Sequence, residues 1–135
     1  MSEIIEILVG SCRQANLRRI CSKLEGKAKY STIGNWEEFE LESKKCLHSL
    51  FVTDLHFSDC FKALAFSNIC DSETLIPSII LLDDMEYFST YRKEASWLIE
   101  IYPEAIAEDG DFFSILLALR TKHKYLSGLI KNCDG

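Results

Sequence analysis

The chain has 135 residues, of which 47% are hydrophobic and 27% charged, and its formal net charge is -6. A single domain of this length buries roughly two-thirds of its surface, so it can build a core without staples, and eight Phe, five Tyr and two Trp exclude a disordered chain. The acidic balance excludes a broad phosphate-binding surface, and the sparse basic set Arg13, Arg18, Arg19 and Lys23 reads as a solvated helix face.

Residues 4–10, IIEILVG, form a short apolar run ending in glycine, which predicts a buried strand. Leu17, Ile20, Cys21 and Leu24 then recur at helical spacing until Gly26. Residues 29–33 predict a second, weaker strand. Asn35 followed by Glu38 has the spacing of a helix cap and its acid, so a helix is predicted to about Lys45 with Trp36 and Phe39 inward. Residues 49–53 predict a third strand, ending at Asp54, and Phe61, Leu64, Ala65 and Asn68 a short helix. Pro77 opens a fourth strand, SIILL, with Asp83 and Asp84 directly beyond it. A polar helix over 86–96, a fifth strand over 97–102 and a final helix with the stripe Phe112, Ile115, Leu116 and Leu119 complete the chain. Strands alternating with helices imply right-handed crossovers and a doubly wound parallel sheet with helices on both faces.

In such a sheet, sites gather beyond the carboxyl ends of the strands. That rule selects residues 10–12, Thr53 with Asp54, residues 82–84 and residues 102–105. Asp54 is the leading candidate, able to accept a phosphoryl group, bind a cation or cap a turn. Asp83 and Asp84 are weak candidates for a magnesium or calcium ion. His48 and His56 lie eight apart across a strand and are not expected to share a metal. No glycine-rich phosphate loop exists. Six cysteines without a Cys-x-x-Cys pair read as free thiols in a reducing compartment, hence the cytoplasm. The chain's start does not read as a leader sequence, so none is expected, and no apolar stretch reaches membrane-spanning length. Tyr87, Phe88 and Tyr91 share a helical face that packs on the sheet or anchors a partner.

The order of elements, with Asp54 after the third strand, resembles the CheY-like receiver domains of two-component response regulators. IEILVGSCRQANLRRICSKLEG is similar to the family's first strand and helix, VTDLHFSDC to its phosphoacceptor strand and loop, and IPSIILL to its fourth strand. FFSILLALRTKHKYLSGLI is similar to the last helix of receivers attached to LuxR-type DNA-binding domains. The resemblance implies a five-stranded, flavodoxin-like three-layer sandwich, with residues 1–126 as the receiver-like domain and 127–135 as a tail or linker.

It also implies a degenerate site. The family's magnesium-holding acidic pair falls on Ser11 and Cys12, its hydroxyl residue on Leu82, and its lysine near Glu104 or Ala105. Phosphoryl transfer needs developing charge neutralised, and Asp54 alone remains of that set. The expectation is therefore a non-enzymatic, cofactor-free pseudo-receiver, independent of phosphorylation. It would act through a homodimer or a signalling partner, with no nucleic-acid or membrane contact of its own, possible as the front of a transcription regulator. Two alternatives stand beside it. One is a working phosphoacceptor using Asp54 with a rearranged divalent-cation site, where magnesium would enter. The other is a small-ligand-binding or enzymatic flavodoxin-like protein.

Overall fold

The computed structural model describes residues 5–45, 47–57, 60–71 and 75–134, with the backbone alone for 130–134. Five strands, β1 (Glu6–Gly10), β2 (Lys29–Ile33), β3 (Leu50–Thr53), β4 (Ser78–Leu82) and β5 (Ile99–Pro103), alternate with helices α1 (Gln14–Leu24), α2 (Trp36–Lys44), α3 (Lys62–Cys70), α4 (Phe88–Glu94) and α5 (Phe112–Asp134). The strands form one parallel sheet in the order β2-β1-β3-β4-β5. This is the expected doubly wound, three-layer sandwich.

Side-chain alternation along the strands divides the core. Ile7, Val9, Leu50, Val52, Ile79 and Leu81 face α1 and α5, where Leu17, Ile20, Leu24, Phe112, Leu116 and Leu119 cover them. Leu8, Phe51, Ile80 and Leu82 face the other way, onto Trp36 and Phe39 of α2 and onto Ala65, Phe66 and Ile69 of α3. The three central strands are buried on both faces, which explains why they read as continuous apolar runs rather than alternating ones. β2 and β5 are the edges, and KYSTI carries the polar side chains an edge tolerates.

Local signals set several boundaries. Asn35 caps α2, its side chain accepting the Glu38 N–H at 2.9 Å. The helix predicted over 86–96 is a 3-10 turn over Met85–Tyr87 followed by α4, and its start is set by Asp84, which accepts the Glu86 N–H at 2.9 Å. β5 starts two residues later than predicted, because Ser96 closes a turn there: its carbonyl accepts the Ile99 N–H at 3.0 Å and its Oγ the Leu98 N–H at 3.2 Å. α5 continues through residues 126 and 127 to Asp134. No helix among the described residues is long and apolar enough to cross a membrane. The described cysteines 12, 21, 60 and 70 are free thiols; Cys46 and the side chain of Cys133 lie outside the described residues.

Candidate functional site

The parallel sheet brings the carboxyl ends of β1, β3, β4 and β5 together, and the residues just past those ends form one polar cluster. It is centred on Asp54, whose side chain is buried although it is a carboxylate. Burying such a charge is costly unless hydrogen bonds satisfy it. Three donors do so. Ser11 Oγ donates to Asp54 Oδ2 at 2.6 Å, Asn16 Nδ2 donates to the same oxygen at 2.5 Å, and the His56 backbone N–H donates to Oδ1 at 2.9 Å.

The turn that follows β3 makes this possible. Leu55 has a φ of 65°, in the left-handed region that a leucine enters at a cost of about 1–2 kcal/mol. Its side chain is fully buried in the core beneath α2 and α3, and its N–H donates to Thr53 Oγ1 at 3.2 Å. Core packing thus holds the strained residue in place, and the reversal of chain direction carries His56 back over the strand ends. The loop after β1 is pinned to this turn, since the Cys12 N–H donates to the His56 carbonyl at 2.5 Å.

The close approach of these loops explains Gly10. A Cβ there would lie 2.6 Å from Cδ2 of Phe39 and 3.0 Å from Cζ of Phe57. Both rings are buried, so neither can move aside cheaply.

His56 is buried between carboxylates. Its Nε2 lies 3.2 Å from Glu104 Oε1 and 3.3 Å from Asp83 Oδ2. Glu104 opens the 3-10 turn after β5, and Asn16 Nδ2 reaches it at 3.3 Å. Asp83 is held by Lys62 at the start of α3, whose Nζ lies 2.6 Å from both carboxylate oxygens. Desolvation pushes the Asp83 carboxyl up, but the Lys62 hydrogen bond and charge, with His56 nearby, outweigh it and hold the group below its ordinary value.

Asp54, His56 and Glu104 each offer a ligand atom, and these atoms all lie within 4.8 Å of one another. The set fits a divalent cation on the chemistry of its donors: two carboxylates supply negative charge and an imidazole supplies a nitrogen. Two expectations from the sequence are corrected by this cluster. A domain with no cofactor does not fit a buried set able to coordinate a metal ion. A clearly non-enzymatic domain does not fit it either, because metal coordination beside a buried carboxylate is a constellation capable of phosphoryl transfer.

The other positions singled out from the sequence are distributed as follows. Ser11 is buried and bonds Asp54, while Cys12 is exposed at the rim. Leu82 is buried in the core beneath α2 and α3. Asp84 caps the 3-10 turn. Tyr87 is exposed, whereas Phe88 and Tyr91 are partly buried against the sheet, Tyr91 with its ring centroid 4.6 Å from that of Phe66. Asn16 and the role of His56 escaped the sequence reading. The usable signal for His56 was its position two residues after Asp54 in a turn; for Asn16 it was a polar residue adjoining the apolar stripe of α1.

No protein-family model matches the chain, and no curated protein sequence matches it. Solved structures match its fold. A CheY-like response regulator receiver domain protein from Methanospirillum hungatei is 11% identical with a TM-score of 0.70, covering 91% of this chain and 98% of that one. A response regulator receiver modulated diguanylate cyclase from Pelobacter carbinolicus is 12% identical with a TM-score of 0.67, covering 93% and 99%. The receiver domain of the Francisella response regulator 1452 is 14% identical with a TM-score of 0.66, covering 90% and 98%. At these identities the likeness establishes a receiver-type fold.

Proposed function

We propose that this chain is a signalling domain that accepts a phosphoryl group on Asp54, assisted by a divalent cation held by Asp54, His56 and Glu104. The single observation that carries the reading is the convergence of those three ligand atoms within 4.8 Å at the strand ends of a receiver-type sheet. It favours the phosphoacceptor alternative over the phosphorylation-independent module that the departures at Ser11, Leu82 and Glu104 suggested.

The chain's own residues supply most of what the step needs. The two Asp54 oxygens are fixed in orientation by Ser11, Asn16 and the His56 N–H. A carboxylate oxygen attacks the phosphorus of an acyl phosphate or a phosphoramidate. The new bond joins that oxygen to phosphorus, and the bond from phosphorus to the donor breaks with its electron pair leaving on the donor, which departs as a carboxylate from an acyl phosphate or as a nitrogen base protonated by water from a phosphoramidate. A bound cation supplies charge neutralisation on the phosphoryl oxygens. Lys62 is paired with Asp83, its Nζ 2.6 Å from both carboxylate oxygens, so the charge the receiver resemblance would have put at Glu104 is left to the cation.

The output is a protein contact. The 3-10 turn before α4, the turn before β5 and α5 present Tyr87, Trp97 and Tyr125 to solvent, 56%, 45% and 66% exposed. Aromatic residues of this kind anchor interfaces, and a second copy of the chain or a signalling protein in the cytoplasm is the proposed occupant. The test of the phosphoacceptor reading is intact-mass measurement after incubation with a small acyl phosphate and a divalent salt. The expected result is a gain of one phosphoryl group that Asp54→Asn abolishes. A gain that persists in Asp54→Asn would place the chemistry elsewhere.

A further inference from the structure

We infer that the cation site selects an imidazole-accepting transition ion of the zinc class over magnesium, with His56 as the selecting ligand. The inference rests on the proposed cation site and adds the identity of its occupant.

Charge comes first. Asp54, Asp83 and Glu104 put three carboxylates around one imidazole, and Lys62 is committed to Asp83 at 2.6 Å. Among the described residues no lysine or arginine pairs with Asp54 or Glu104. Two carboxylates at this strand end therefore have no lysine or arginine partner among the described residues, and a dication balances both. Asn16 Nδ2 donates to both groups, at 2.5 Å from Asp54 and 3.3 Å from Glu104, which holds the two carboxylates close to one another.

Donor chemistry then decides which dication. Magnesium demands near-octahedral oxygen ligands and gives up its water reluctantly. Imidazole nitrogen suits zinc and its neighbours. A set of one histidine and two carboxylates leaves a coordination position open, as in catalytic rather than structural zinc sites. The ligands are also braced from behind: Ser11 and the His56 N–H hold Asp54, Asn16 holds Asp54 and Glu104, and Lys62 fixes Asp83 beside the imidazole. Such supporting contacts orient ligands and typically set 10–100-fold of metal affinity.

The test is calorimetric titration of the full chain with zinc and, separately, with magnesium, repeated on His56→Gln, together with the 15N spectrum of the wild-type imidazoles. Zinc is expected to bind one to one, at least about 100-fold tighter than magnesium. His56→Gln is expected to lose at least about 10-fold of the zinc affinity and none of the magnesium affinity, and zinc is expected to move the Nε2 resonance of His56 in the wild type. The resonance needs no variant, so it decides the matter even if His56→Gln fails to fold. Magnesium binding as tightly as zinc, binding of neither ion, or an Nε2 resonance that zinc leaves in place would overturn the inference. The two proposals fail separately. Asp54 phosphorylation supported by magnesium and indifferent to His56 removes this inference and leaves the phosphoacceptor; zinc bound through His56 without any phosphoryl gain does the reverse.

Discussion

His48 and His56 flank the same strand and sit in opposite chemical surroundings. His48 precedes β3, beside an open groove lined by Glu6, Glu25, Lys29, Tyr30 and Ser31, and its buried Nδ1 has no hydrogen-bond partner among the described residues. Desolvation lowers its pKa below the ordinary value of 6.5, although Glu42 and Glu6 pull the other way. His56 follows β3 and is enclosed by Glu104 and Asp83 at 3.2 and 3.3 Å. Burial at the first end discourages a positive charge on His48, whereas at the second the imidazole stands among carboxylates. The difference follows from the parallel topology, which collects every strand's carboxyl end on one side and with it the loops that carry Asp54, Asp83 and Glu104.

The comparison breaks most visibly if charge at the carboxyl end is not the controlling quantity. Asn16→Asp adds a carboxylate facing Asp54 and Glu104, and is expected to cost about 3 kcal/mol in metal-free buffer, with much of the loss recovered when zinc is added. Denaturant melts with and without the ion measure this. A variant as stable as wild type without metal would mean that the end tolerates further negative charge. Ser11→Ala removes one donor from a buried carboxylate and is expected to cost about 2 kcal/mol, read from the same melts.

Smaller effects sharpen the contrast. Lys62→Gln removes the contact and charge that outweigh desolvation at Asp83, so its carboxyl is expected to rise, which an NMR titration detects. A group with a depressed folded pKa of this kind stabilises above its ordinary value of 3.8 and loses that contribution as pH falls through the folded value, so Lys62→Gln narrows the acid-stable range. The smallest expected effect is at the other end. His48 has a lowered folded pKa, so between that value and 6.5 the unfolded chain binds more protons than the folded one. Stability should therefore rise with pH through that window, and His48→Gln should flatten the slope.

Much of the fold was legible because its signals are local or periodic. The central strands are apolar throughout because both faces are covered, and Asn35 with Glu38 marked the start of α2 by cap chemistry. The start of β5 was misread, because the apolar Trp97 and Leu98 look like strand while Ser96 holds them in a turn. Asp54 could be found because it ends a buried strand. Its surroundings could not. Ser11 and Asn16 lie 43 and 38 residues away in sequence, and Glu104 lies 48 residues from His56, so only the crossovers bring them together. Substitutions read one by one suggested a dismantled site, whereas in three dimensions the carboxylate at 104 stands beside an imidazole rather than alone.

The most direct measurement is the intact mass of the full chain incubated with a small acyl phosphate, before and after a chelator strips divalent ions. The predicted result is one phosphoryl group on Asp54 that disappears from the chelated sample. An unmodified chain in both samples, or a modification that survives chelation, would contradict a cation-assisted phosphoacceptor at Asp54.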